Sequence, residues 1–123
     1  MQPQGHVQLI RNLVDFGLDP QSALDAPRWF VQDVDKYQVT SSVGLSSVLL
    51  ERGYGGEHDG GPAGDSGDAV MRALVARGHA VKMGDGYKRE IYGRGQIIVR
   101  DPVTGVLSGG SDPRADGCAI PVL

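Results

Sequence analysis

Residues 95–117 read GQIIVRDPVTGVLSGGSDPRADG, and the architecture turns on how this stretch is read. Gln96–Arg100 is a β-favouring run bounded by glycine. Asp101-Pro102 and Thr104-Gly105 are turn formers, and an extended pattern resumes at 106. The stretch therefore predicts a hairpin, with strands over 96–100 and 106–109. Charge becomes denser after it. Asp112, Arg114 and Asp116 place two acids and one arginine within five positions, enough for a bidentate pair that fixes a sharp turn. Pro113 stiffens that turn, and Gly109-Gly110 permits close backbone approach or positive φ. A catalytic role for these charges needs a nucleophile or a metal beside them, and the sequence offers neither. They read as a structural lock. Ser111 follows the glycine pair, but Pro113 and the lack of a matching histidine make it a weak nucleophile. Cys118, the only cysteine, cannot form an internal disulfide and reads as a small core residue.

Toward the amino end the pattern is helical. Residues 4–16 carry Val7, Ile10 and Val14 on one face with Leu9, Leu13 and Phe16 beside them. That arc is too broad for a surface helix and predicts burial between layers. Pro3 suits a first turn, Gly17 the left-handed residue after the last, and Leu18 the contact to Leu13 that such a stop makes. Asp19 then caps a second short helix opened by Pro20 and ended by Pro27. Residues 28–32 and 37–40 read as strands, as does 45–53, where Ser46, Ser47 and Val48 disfavour helix. A helix over 68–77 closes on Gly78, with Val70, Ala73 and Leu74 as its apolar face. A strand follows at 79–83, and another is expected at 118–122. His79, at that helix end, is placed to bond terminal carbonyls.

Of the nineteen glycines, those clustered at 53–67 and 84–95 predict loops, the first a flexible Gly-rich insertion in a single domain spanning 1–123. His58 and Asp59 in it lack metal-ligand spacing, and no metal or cofactor is expected. His6 reads as an exposed or capping histidine. Apolar residues make up 40% and charged ones 22%, a globular composition, and the net charge of −3 argues against nucleic acid. The run YKREIYGRGQ, with Tyr87, Tyr92, Lys88, Arg89 and Arg94, reads as a solvated loop or strand edge. No segment is apolar enough to span a bilayer. P-loop, zinc, dinucleotide and nucleophile-elbow motifs are absent. Helices first and an antiparallel hairpin last predict an α/β layered fold with an antiparallel or mixed sheet.

Both ends of the chain carry a resemblance. MQPQGHVQLIRNLVDFGLDPQSALDAPRW at 1–29 and GQIIVRDPVTGVLSGGSDPRADG at 95–117 together resemble the C-terminal part of the γ-glutamyltransferase small subunit, within the N-terminal nucleophile hydrolases. AVMRALVARGHAV at 69–81 fits more loosely, and 53–67 looks like an insertion. The resemblance implies a self-cleaving precursor and a four-layer αββα sandwich, mainly antiparallel. It implies a threonine nucleophile at the small-subunit start, with its α-amino group as base, and a Gly-Gly oxyanion hole. Both would lie upstream of Met1, and neither Thr40 nor Thr104 matches the nucleophile. It further implies that the first helix starts close to the oxyanion hole, which makes Met1, Gln2 and Gln4 the residues nearest catalysis.

On this reading the chain itself holds no catalytic residue. Its partners are the large subunit and the N-terminal part of the small subunit, and it meets γ-glutamyl compounds only through that parent. Any targeting signal would lie upstream, leaving both a cytoplasmic and a periplasmic or secreted location open. The alternative is a stand-alone binding or oligomerisation module descended from such an enzyme, expected to form a homodimer through the apolar arc of its first helix.

Overall fold

The computed structural model describes residues 1–32, 47–53, 66–84 and 86–120. The elements run α1 (Gln2–Val14), α2 (Pro20–Asp25), β1 (Trp29–Gln32), β2 (Ser47–Glu51), α3 (Ser66–Ala76), β3 (Ala80–Gly84), a 3₁₀ helix (Gly86–Tyr92), β4 (Gln96–Arg100) and β5 (Leu107–Ser111). The chain divides into two compact units, Met1–Ala26 with Glu90–Leu123, and Pro27–Arg89.

In the first unit the stops and caps follow local chemistry. Pro3 sits in the first turn of α1, and Gly17 leaves the helix at φ 64°. The Leu18 N–H donates to Asn12 O at 2.9 Å, satisfying one of the carbonyls that a helix end leaves open. The Asp19 carboxylate accepts from the Gln21 and Ser22 N–H groups at 2.9 and 3.0 Å and starts α2. β4 and β5 pair antiparallel, with Ile97 opposite Gly110 and Ile98 opposite Gly109. Asp101 builds the turn between them, its Oδ1 accepting from the Val103 and Thr104 N–H groups at 2.9 and 2.7 Å. α2 packs on this hairpin, and Ala23 and Leu24 are fully buried.

The second unit holds a three-stranded mixed sheet in the order β1-β2-β3. β1 and β2 are antiparallel, with Trp29 opposite Leu50. β2 and β3 are parallel, with Val48 opposite Val81. Parallel strands need a crossover, and α3 lies in that connection and packs on β3. Gly78 ends α3 at φ 89°.

The sheets are small: that of the second unit is mixed, because the crossover through α3 makes β2 and β3 parallel, and that of the first is antiparallel. Several other expectations need correction. Part of the 84–95 loop is the 3₁₀ helix, and Tyr92 within it is fully buried, whereas Glu90 and Arg94 beside it are exposed. Cys118 is exposed, whereas its neighbour Ala119 packs: the Ala119 N–H donates to Ser111 Oγ at 2.9 Å, and its Cβ lies close under Gly109. Residues 118–120 form no strand. The outer face of α1 is exposed, and Gly5 is the buried residue of that helix. The expectations for 37–40, including Thr40, for 121–122, for His58 and Asp59, and for most of the 53–67 insertion lie outside the described residues.

Candidate functional site

The charge cluster after β5 closes into one buried node. Asp112 and Arg114 both have fully buried side chains, and Arg114 Nη1 lies 3.1 Å from Asp112 Oδ1. Sequence proximity alone would allow that pair. The rest of the node comes from residues far along the chain. Arg114 Nη1 donates to Leu24 O at 2.7 Å and Nη2 to Ala26 O at 3.0 Å, so the guanidinium satisfies carbonyls at the end of α2. Asp112 Oδ1 accepts the Arg114 N–H at 3.0 Å, and Oδ2 accepts the Gly95 N–H at 2.9 Å, immediately before β4. The Asp112 N–H returns a bond to Gly95 O at 3.1 Å. A carboxylate engaged on both oxygens has no acceptor turned outward for a proton-transfer task, and a guanidinium fastened to backbone carbonyls is not offered to a substrate anion. Asp116 is exposed and Ser111 half-buried.

A second fastening holds α2 to the same strand. Gln21 Nε2 donates to Ser111 O at 3.0 Å, and the Ser111 N–H donates to Gln21 Oε1 at 3.0 Å, as a neighbouring strand would. Gly110 is where that approach is tightest. A Cβ there would fall 2.6 Å from the Pro20 carbonyl carbon, closer than any side chain tolerates. Gly109 and Gly110 are both in β5 and neither has positive φ, so of the two uses of this pair close approach is the one realised.

At the other end of the unit, Met1 precedes α1 and is half-buried, and its carbonyl accepts the Gly5 N–H at 2.9 Å. Gln2 is exposed. Gln4 is half-buried, its carbonyl accepting from Gln8 Nε2 at 3.0 Å. His6 is exposed. His79 is also exposed, and it is its backbone N–H that reaches Leu74 O, at 3.1 Å.

Sequence reasoning missed a second buried acid. Glu51, at the end of β2, is 1% exposed. Its Oε2 accepts the Arg28 N–H at 2.9 Å, its Oε1 lies 2.6 Å from Arg89 Nε, and its own N–H donates to Arg28 O at 2.9 Å. The available signal was an acid terminating the apolar run SVLL, where burial would demand a cation. No group of three or more histidine, cysteine or acidic side chains among the described residues is arranged to hold a metal ion. No helix there is long and apolar enough to cross a membrane. Two exposed carboxyls are held below the ordinary value of 3.8 by bonds that only the ionised form accepts well. Asp19 is lowered chiefly by the Ser22 hydroxyl and then its N–H, and Asp101 by the Thr104 and Val103 N–H groups.

The family model for gamma-glutamyltranspeptidase matches residues 1–122. The chain is 30% identical over 120 residues to the glutathione hydrolase-like YwrD proenzyme of Bacillus subtilis, covering 97% of this chain and 19% of that protein. It is 41% identical to the crystal structure of a cephalosporin acylase from Bacillus halodurans, with a TM-score of 0.65, over 94% of this chain and 17% of that one. The gamma-glutamyltranspeptidase of Pseudomonas nitroreducens shares the fold at 22% identity and a TM-score of 0.61, over 97% of this chain and 49% of that one. The chain thus spans about a fifth of the first two relatives' length and half of the third's. It belongs to the gamma-glutamyltranspeptidase family and matches only a part of its longer members.

Proposed function

We propose that this chain is the C-terminal part of the small subunit of a γ-glutamyltransferase-like N-terminal nucleophile hydrolase, and that its own role is scaffold. The parent would be an αββα sandwich that transfers or hydrolyses acyl groups from amides such as γ-glutamyl compounds. In that parent a threonine hydroxyl attacks the carbonyl, the amine leaves, and water or an acceptor amine releases the acyl group. The threonine and the Gly-Gly oxyanion hole belong to the remainder of the enzyme. Met1, Gln2 and Gln4 would stand nearest that hole, and Gly109, Gly110, Asp112, Arg114 and Asp116 would form the closing turn. The observation that carries this reading is the destination of the charges. Asp112 and Arg114, the most reactive-looking groups of the segment, are bonded to Gly95, Leu24 and Ala26 backbone atoms. The purified chain is expected not to release aniline from a γ-glutamyl anilide. Turnover that a substitution within the chain abolishes would refute the proposal.

A second reading, a stand-alone oligomerising module, has the exposed aliphatic face of α1 in its favour. Light scattering separates the two: a dimer that persists on dilution supports the module, and a monomer over a wide concentration range counts against it.

A further inference from the structure

The turn after β5 is tied down at Asp112 and Arg114 and untied two residues later. Asp116 and Gly117 are both exposed, and the backbone bends at Asp116. Among the described residues neither the Asp116 carboxylate nor the Gly117 N–H has a hydrogen-bond partner. The other aspartates whose side chains are described differ. Asp15 pairs with Arg11, Asp25 accepts from Gln21 Nε2, and Asp19 and Asp101 accept from main-chain N–H groups. Asp19, Asp101 and Asp112 are each followed by proline, which has no N–H to lose.

We propose that Asp116-Gly117 is a site of spontaneous covalent modification, at which the aspartate rearranges to isoaspartate. The Gly117 nitrogen bonds to Cγ of the protonated Asp116 carboxyl. The carboxyl O–H and the Gly117 N–H leave together as one water, and a succinimide ring closes. A second water then adds to either imide carbonyl. Opening at Cγ restores aspartate. Opening at the Asp116 main-chain carbonyl carbon leaves the chain running through Cγ, one carbon longer, with a free α-carboxylate and no net change in mass. Gly117 has no Cβ to obstruct the approach of Cγ to its nitrogen. Its N–H, bonded to no other described group, is lost without first breaking a hydrogen bond. The place gives the change a consequence. The main chain lengthens between the Asp112–Arg114 node and Ala119, whose N–H donates to Ser111 Oγ at 2.9 Å and whose Cβ lies close to Gly109. Isomerisation therefore loosens the segment after Gly117 from β5 and leaves the node intact.

The test is incubation of the purified, folded chain at neutral pH, followed by tryptic mapping of the peptide that begins at Ala115. The Asp-Gly pairs at 59–60 and 85–86, whose aspartates lie outside the described residues, fall in other tryptic peptides. The expected result is a growing fraction of the Ala115 peptide that elutes separately at unchanged mass, with a form one water lighter trapped in mild acid. Asp116→Glu keeps the charge but would need a larger ring, and it abolishes the second form. Asp116→Asn, which loses ammonia more readily than the acid loses water, speeds its appearance. In the isomerised chain the Ala119 N–H exchanges with solvent faster and the Gly95 N–H does not, as for local opening of the last segment alone. A single form throughout incubation of the folded chain overturns the proposal, and isomerisation seen only in urea names the fold as what blocks ring closure. An equal yield of the second form from Asp116→Glu also overturns it. Unchanged Ala119 exchange in the isomerised chain overturns the loosening.

Discussion

Two buried acids, one in each compact unit, have been given different surroundings. Asp112 and its arginine are both sealed from water, and their polar atoms run to backbone groups from two distant stretches of chain, Gly95 and the end of α2. Glu51 is as deeply buried, but the side chain of its partner Arg89 remains 42% exposed. A charge at the water boundary can be re-solvated if its mate is lost; one inside cannot. The first node is therefore a lock whose parts depend on each other, and the second is an anchor that joins β2, the segment before β1 and the 3₁₀ helix at one carboxylate.

The sharpest way to break this comparison is Asp112→Ala. It strands the Arg114 guanidinium in the interior and leaves the Gly95 N–H without its carboxylate. The expected loss is about 3–5 kcal/mol, the cost of removing one member of a buried pair. It is read from the urea midpoint. Glu51→Gln should cost less, roughly 1–3 kcal/mol, because one amide oxygen still accepts and Arg89 can turn to solvent. Equal losses would erase the distinction between lock and anchor. The smallest effect is the acid response of the exposed caps. The Asp19 and Asp101 carboxyls titrate below 3.8 in the folded chain. Their contribution is therefore complete above that ordinary value and fades as pH falls through the lowered folded one. Asp19→Ala and Asp101→Ala should flatten the pH dependence of the urea midpoint in that acid window and leave the neutral slope untouched. An unchanged acid slope would show that the caps do not titrate with folding.

The contrast also explains what could be read before any coordinates. The Asp19-Pro20 cap, the stop at Gly17, the turn from Asp101 to Gly105 and the Asp112–Arg114 pair are all settled by neighbours within a few residues, and such chemistry is written in the local sequence. Leu24, Ala26 and Gly95 as partners of the pair are not, because they are brought in by packing of α2 on the hairpin. Glu51 went unnoticed for the same reason, since Arg28 and Arg89 are distant in sequence. The 3₁₀ helix at Gly86–Tyr92 was hidden by its flanking glycines, and Tyr92 is held inside by tertiary burial that overrides a polar neighbourhood. The parallel pairing of β2 and β3 required knowing which strands meet. The breadth of the α1 arc was legible, but which of its apolar sides the described residues cover was not.

The account stands on the closing turn being scaffold and not chemistry, and the direct measurement is kcat per folded molecule for Asp112→Asn in the full-length enzyme, below its unfolding transition. This substitution keeps the shape and removes the charge. The account predicts a lowered urea midpoint with kcat per folded molecule unchanged. A fall of roughly 10²–10⁴ in kcat with the fold intact, the size expected on removing a general acid or base, would contradict it.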